Sequence, residues 1–198
     1  MNLPNALTLV RIFFIPLLVA ALVQQNYTVD VFGTVLTNEY VALVIFLIAA
    51  FTDLLDGYLA RRWRQITTVG TLLDPIADKL LVSSALISLV EVQALPAWMA
   101  IVVIGREFAI TGLRGIAAAE GYVIKANDLG KFKLVTQVVA LSMSMLSIRW
   151  PAMRQPSILA MWLVVTFGVV SAIVYFRKFW HQVDDAVKQR SRRDLMRS

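Results

Sequence analysis

The chain has 198 residues, enough for one compact domain; 59% are hydrophobic, only 16% are charged, and the mean hydropathy is +0.71. A soluble domain carries roughly 25% charged residues, so a surplus of apolar side chains this large excludes an ordinary soluble globule and points to lipid. The absence of cysteine excludes disulfide frameworks and thiolate metal sites, and the meaning of the net charge of +6 depends on where the charges sit.

A bilayer crossing takes about 20 mostly apolar residues. In chain order, the candidate segments are Leu7–Val23, Tyr40–Ala60, Leu72–Val92, Ala97–Ala118, Lys131–Ile148 and Ile158–Phe176. The first has no basic stretch before its apolar run, so it reads as a span rather than a cleaved signal. Short connections and the lack of internal repeats predict one six-helix membrane domain over residues 1–178, followed by a basic tail over 179–198. The expected fold class is therefore all-α integral membrane, with six transmembrane helices.

Basic residues orient these helices. Arg61, Arg62 and Arg64 fill the second connection, Lys125, Lys131 and Lys133 the fourth, and Arg177, Lys178, Lys188, Arg190, Arg192, Arg193 and Arg197 the tail. On the opposite side, Asn26–Glu39 and Glu91–Pro96 carry no basic residue, and Arg149 and Arg154 are the exceptions. Both termini are predicted to be cytoplasmic. A basic run directly after a membrane span is expected to rest on anionic lipid headgroups, so nucleic acid is not an expected partner. His181, the single histidine, lies in this membrane-proximal stretch and is read as interfacial.

The informative stretch begins at Asp53. On a continued second helix, Asp53, Asp56, Gly57, Ala60 and Arg61 fall at offsets 0, +3, +4, +7 and +8, which trace one helix face. A second stripe, Gly70, Asp74 and Asp78, falls at 0, +4 and +8 on the next helix. Ionised groups at a membrane are costly and normally mark function, and four unpaired carboxylates would repel one another. Two divalent cations would balance them, and hard oxygen donors suit Mg2+ or Mn2+. Such a pair of ions stabilises displacement at phosphorus by clamping phosphate oxygens and the leaving group. Gly57 and Ala60 leave room on the same face for a packed helix or a ligand; aspartates and an arginine beside them favour the ligand. Pro75 is expected to bend the third helix or mark a local break.

These residues carry a resemblance. Asp53-x2-Asp56-Gly57-x2-Ala60-Arg61-x8-Gly70-x3-Asp74-x3-Asp78 is similar, without a departure, to the signature of the CDP-alcohol phosphotransferases. Further stretches resemble that family's phosphatidyltransferase branch: Asn2-Leu3-Pro4-Asn5-x2-Thr8-x2-Arg11, Gly105-Arg106-Glu107 with Gly112-Leu113-Arg114, and Gly130-Lys131-x-Lys133-x2-Thr136-Gln137. The resemblance implies a six-helix membrane domain, a homodimer, and a site at the cytoplasmic surface of a bacterial inner membrane. It implies metal ligands at Asp53, Asp56, Asp74 and Asp78, CDP contacts from Asp56, Gly57, Ala60, Arg61 and Gly70, and a catalytic base at Asp78. The implied reaction transfers a phosphatidyl group from CDP-diacylglycerol to sn-glycerol 3-phosphate with release of CMP.

An acceptor phosphate needs guanidinium or ammonium donors. Arg106 and Arg114, eight residues apart on the fourth helix, and Lys131 and Lys133 on the fifth are the candidates, with Glu107 a candidate ion partner. Other acceptors of the same family, as in cardiolipin, phosphatidylserine or phosphatidylinositol phosphate synthesis, share the core signature. A cation transporter would spread its carboxylates over several helices near mid-bilayer. A prenyltransferase pairs aspartates with metal and pyrophosphate, but it gives no reason for Gly57-x2-Ala60-Arg61.

Overall fold

The computed structural model describes residues 3–24, 28–31, 34–63, 68–119 and 129–195. Within them, residues 3–5, 29–31, 34–36, 53–63, 68–72, 74, 129–132 and 182–195 are described by their backbone alone. Six α-helices account for nearly all of the described chain: α1 (Leu3–Val23), α2 (Asn38–Trp63), α3 (Thr68–Glu91), α4 (Ala97–Ala119), α5 (Leu129–Arg149) and α6 (Arg154–Leu195). All six apolar segments of the sequence are helices. Their bounds extend by a few residues, except that α6 runs on past Phe176 and through the expected tail boundary at 178/179.

The α1–α2 connection adds an element that the hydropathy pattern does not announce. Thr28–Val31 (β1) and Thr34–Thr37 (β2) pair antiparallel, with Thr28 opposite Thr37 and Val31 opposite Thr34. Threonine and valine dominate both strands, and β-branched side chains fit a pleated ribbon better than a helix. Asn38 Nδ2 donates to the Gln24 carbonyl at 3.1 Å and joins the helix ends that flank this ribbon.

The α3–α4 connection is shorter. Gln93 adopts φ 56°, the left-handed conformation that glycine usually supplies at the end of a helix. The Ala94 N–H then reaches back to the Leu89 carbonyl at 2.9 Å, and α4 starts right after Pro96. Pro75 does not interrupt α3, which is one assigned helix from Thr68 to Glu91.

Core packing explains why these helices bundle. Leu18 and Leu22 of α1, Phe46 of α2, Leu81, Leu86 and Leu89 of α3, Met99 and Val103 of α4, Leu141 and Met145 of α5, and Met161 of α6 are buried in one cluster. These positions lie late in α1, α3 and α5 and early in α2, α4 and α6. Ile110 and Ala117 of α4 and Tyr175 and Phe179 of α6 continue the buried apolar positions beyond this cluster. Trp150 Nε1 donates to the Tyr40 hydroxyl at 2.8 Å, joining the end of α5 to the start of α2. Helices α4 and α6 run parallel: Trp98 meets Trp162 with ring centroids 5.1 Å apart, and Arg114 lies over the Tyr175 ring further along both.

Much of the described outer surface is apolar as well. Phe13, Ile101 and Leu159 are 65%, 69% and 64% exposed, a distribution that water disfavours and lipid does not. Among the described residues, α1 over Ala6–Val23 and α6 within Pro151–His181 are long and apolar enough to cross a membrane, and only 22% and 28% of those windows are buried. A core helix of a soluble protein would show the reverse. At about 1.5 Å per residue, the 42 residues of α6 span about 63 Å, twice the ~30 Å of a hydrocarbon core. Near its middle, Phe176 and Trp180 stack with centroids 5.8 Å apart, as aromatic side chains do at a membrane interface.

The two kinds of apolar position differ in their expected sensitivity. Phe46→Ala should cost about 3–5 kcal/mol through lost transfer and a residual cavity, whereas Phe13→Ala should stay within about 0.5 kcal/mol. Reversible unfolding in mixed detergent micelles measures both.

Candidate active site

Helix α2 is continuous through Trp63, so the spacing of Asp53, Asp56, Gly57, Ala60 and Arg61 does place them on one helical stripe. Gly70, Asp74 and Asp78 share a stripe of α3 in the same way, and α2 and α3 lie in contact. Their backbones bring the two stripes onto neighbouring helices. The side chains of Asp53, Asp56, Arg61 and Asp74 lie outside the described set, as does that of Lys131.

Asp78 is the described member of the acidic group, and it lines a cavity of about 80 Å³ between α2, α3, α4 and α5. Phe46, Val103 and Leu141 of the core form its apolar base, while Asp78, Lys79, Glu107, Lys133 and Gln137 supply its polar wall. Three helices thus deliver the polar groups. Lys133 and Gln137 are four residues apart on α5, so a single face of that helix presents both; Gln137 is buried.

Glu107 organises the basic side. Its Oε1 accepts a hydrogen bond from Lys133 Nζ and lies 2.9 Å from Arg106 Nη2. The arginine contact is close in charge but not aligned as a hydrogen bond, because Nη2 finds no acceptor at bonding geometry. One carboxylate therefore sits between two cations, and the trio keeps a net positive charge. All three are shielded: Arg106 is 8% exposed at its side chain, Glu107 23% and Lys133 25%.

The four basic candidates separate accordingly. Lys133 lines the cavity. Arg106 touches it only through Glu107, because its own guanidinium turns towards α6 and packs at Gly168. Arg114 is exposed, with its guanidinium carbon 5.3 Å from the Tyr175 ring centroid, a cation–π distance. Sequence reasoning quoted Gln137 without assigning it a role and did not single out Gly168 or Tyr175. The four-residue spacing of Lys133 and Gln137 was the available signal for the first. For the α6 pair there was none, since both lie in an apolar segment that reads only as a span.

Residues 1–174 match the profile of the CDP-alcohol phosphatidyltransferase family. The chain belongs to that family. It is 44% identical over 184 residues to the CDP-diacylglycerol–glycerol-3-phosphate 3-phosphatidyltransferase of Bacillus subtilis (strain 168), covering 90% of this chain and 95% of the relative. An Arabidopsis thaliana chloroplastic/mitochondrial protein of the same description is 37% identical over 91% of this chain and 63% of its own length. A Rickettsia felis protein of that description is 30% identical over 89% and 94%. The matched range of residues 1–174 takes in α2, α3 and the α4 and α5 residues that line the cavity.

Removing the charge between two partly buried cations leaves them facing each other. Glu107→Gln should lower stability by about 1–3 kcal/mol, and Glu107→Asp should lower it less. Both are read from detergent unfolding midpoints.

Proposed function

We propose that this protein transfers the phosphatidyl group of CDP-diacylglycerol to the 1-hydroxyl of sn-glycerol 3-phosphate, giving phosphatidylglycerol phosphate and CMP. The observation that carries this reading is the 44% identity, over nearly the whole of both chains, to a relative named for that reaction. The cavity adds chemical sense: a carboxylate, Asp78, shares it with an ammonium group, Lys133. Serine or inositol as acceptor would not require the surplus of positive charge that α4 and α5 bring.

In this reading, the acceptor hydroxyl oxygen forms a bond to the lipid-bearing phosphorus, and the bond from that phosphorus to the CMP oxygen breaks. Asp78 takes the hydroxyl proton. A carboxylate is a weak base, so its help is greatest when proton transfer accompanies attack. Lys133 holds the acceptor phosphate, Lys131 joins it from α5, and Arg106 and Arg114 contribute positive field from α4. Asp56, Gly57, Ala60, Arg61 and Gly70 hold the CDP portion.

The donor set fits two resident divalent cations. Asp53, Asp56, Asp74 and Asp78 offer hard oxygens from two adjoining helices, the ligand class of Mg2+ or Mn2+. Bound there, such ions neutralise the pyrophosphate and the charge growing on the departing nucleotide.

We read all six helices as membrane-crossing, with both termini and the site on the cytoplasmic side of a bacterial inner membrane. Arginine and lysine concentrate in the connections and tail at that end. The acyl chains of the substrate then stay in lipid while both headgroups meet at the membrane edge. The family resemblance adds a homodimer.

Thin-layer analysis of products from purified protein, CDP-diacylglycerol, magnesium and each candidate acceptor tests the reading. Glycerol 3-phosphate should be the productive acceptor, EDTA should abolish turnover, and magnesium or manganese should restore it. Preference for a neutral alcohol overturns the acceptor, and full activity after exhaustive chelation overturns the metals. Lys133→Ala should raise the apparent KM for glycerol 3-phosphate by about 10- to 150-fold, the loss of one charge-assisted contact of roughly 1.5–3 kcal/mol. Arg114→Ala should have a smaller effect, because Arg114 stacks on Tyr175 outside the cavity lining.

A further inference from the structure

The contact between α4 and α6 has a feature that lipid exposure does not explain. A Cβ built on Gly168 would stand 2.9 Å from Arg106 Nε and 3.4 Å from its Cδ. That is closer than real Cβ atoms approach, so any side chain at 168 displaces the arginine. Gly168 is the point on α6 where the guanidinium of α4 lies against bare backbone. The described glycines of α4, Gly105, Gly112 and Gly115, have nothing within 4 Å of such a Cβ. The close fit is specific to Gly168.

Arg106 and Lys133 meet at Glu107 Oε1. Two cations compete for one carboxylate, so the presence of Arg106 leaves Lys133 with more charge to offer elsewhere. Without Arg106, Glu107 and Lys133 would form a neutral pair, and a dianionic phosphate would meet less positive field in the cavity.

We propose that Gly168 is a positioning residue for the acceptor half of the site: by lacking a side chain it seats Arg106 against Glu107, which keeps Lys133 available to a phosphomonoester dianion. The inference rests on the reading of glycerol 3-phosphate as acceptor. It gives α6, which contributes no residue to the cavity lining among the described residues, an indirect part in acceptor binding. The steric cost of a methyl group falls on the arginine side chain rather than on backbone, and alanine is the better helix former. Gly168→Ala should therefore fold.

The experiment is a double-mutant cycle on the purified full-length chain, with Gly168→Ala, Arg106→Ala and the pair, read as KM for each substrate. Gly168→Ala should raise KM for glycerol 3-phosphate roughly tenfold while moving KM for CDP-diacylglycerol less than about twofold. In the Arg106→Ala background, the same change at 168 should have no further effect, because the displaced atoms are gone. A purely structural role of Gly168 in helix packing would act equally in both backgrounds, and that outcome overturns the proposal, as does an unchanged KM in Gly168→Ala. Acylation of Lys133, followed by mass spectrometry, reports on the relay without any acceptor. Labelling should slow in Gly168→Ala and Arg106→Ala, where Glu107 holds the amine alone, and quicken in Glu107→Gln. Unchanged labelling in Gly168→Ala overturns the relay. Failure of the wild-type protein to use glycerol 3-phosphate overturns the acceptor role together with the reading beneath it, and the labelling pattern still decides whether Gly168 governs Lys133.

Discussion

Charge held among apolar helices is the constraint on which the rest of this structure depends. A carboxylate or guanidinium removed from water loses several kcal/mol of solvation unless a partner replaces it. The described ionic groups around Glu107 are arranged accordingly. Glu107 lies between Arg106 and Lys133, Arg114 covers an aromatic face, and Asp78 shares a polar wall with cations rather than facing lipid. The surplus of positive charge that remains suits a site for two phosphorylated substrates.

The hydrophobic packing supports this arrangement from below. Phe46, Val103 and Leu141 belong both to the core cluster and to the base of the cavity, so the polar wall stands directly on close-packed side chains. A charged group is most precisely placed where its own helix cannot shift. Short, well-capped connections such as the one through Gln93 fix α3 against α4, and therefore fix Asp78 relative to Glu107.

Much of this was legible in the sequence, because its physical basis is local. Helix periodicity alone puts Asp53 with Asp56 and Asp74 with Asp78, and apolar run length marks six helices. The β1–β2 ribbon was missed because its eight residues sit in a connection judged only by charge, although Thr28, Val29, Val31, Thr34, Val35 and Thr37 carry the β-branched pattern. Helix α6 continues beyond its apolar segment because hydropathy falls at Arg177 while helix propensity does not. The separation of Arg106 and Arg114 from Lys133 was beyond reach: it depends on which neighbour each face of α4 meets, and periodicity names a face without naming what lies opposite. Gly168 was invisible for the same reason.

The packing of α3 has a dynamic consequence. Resistance to local opening follows buried apolar contact, so Ala85, Leu86 and Leu89 at the far end of α3 anchor a stretch that opens only with the whole bundle. On the same helix Ala77 and Leu81 are buried while Pro75, Ile76 and Leu80 are exposed, so α3 is held by its inward stripe and leaves its outward face to the surroundings.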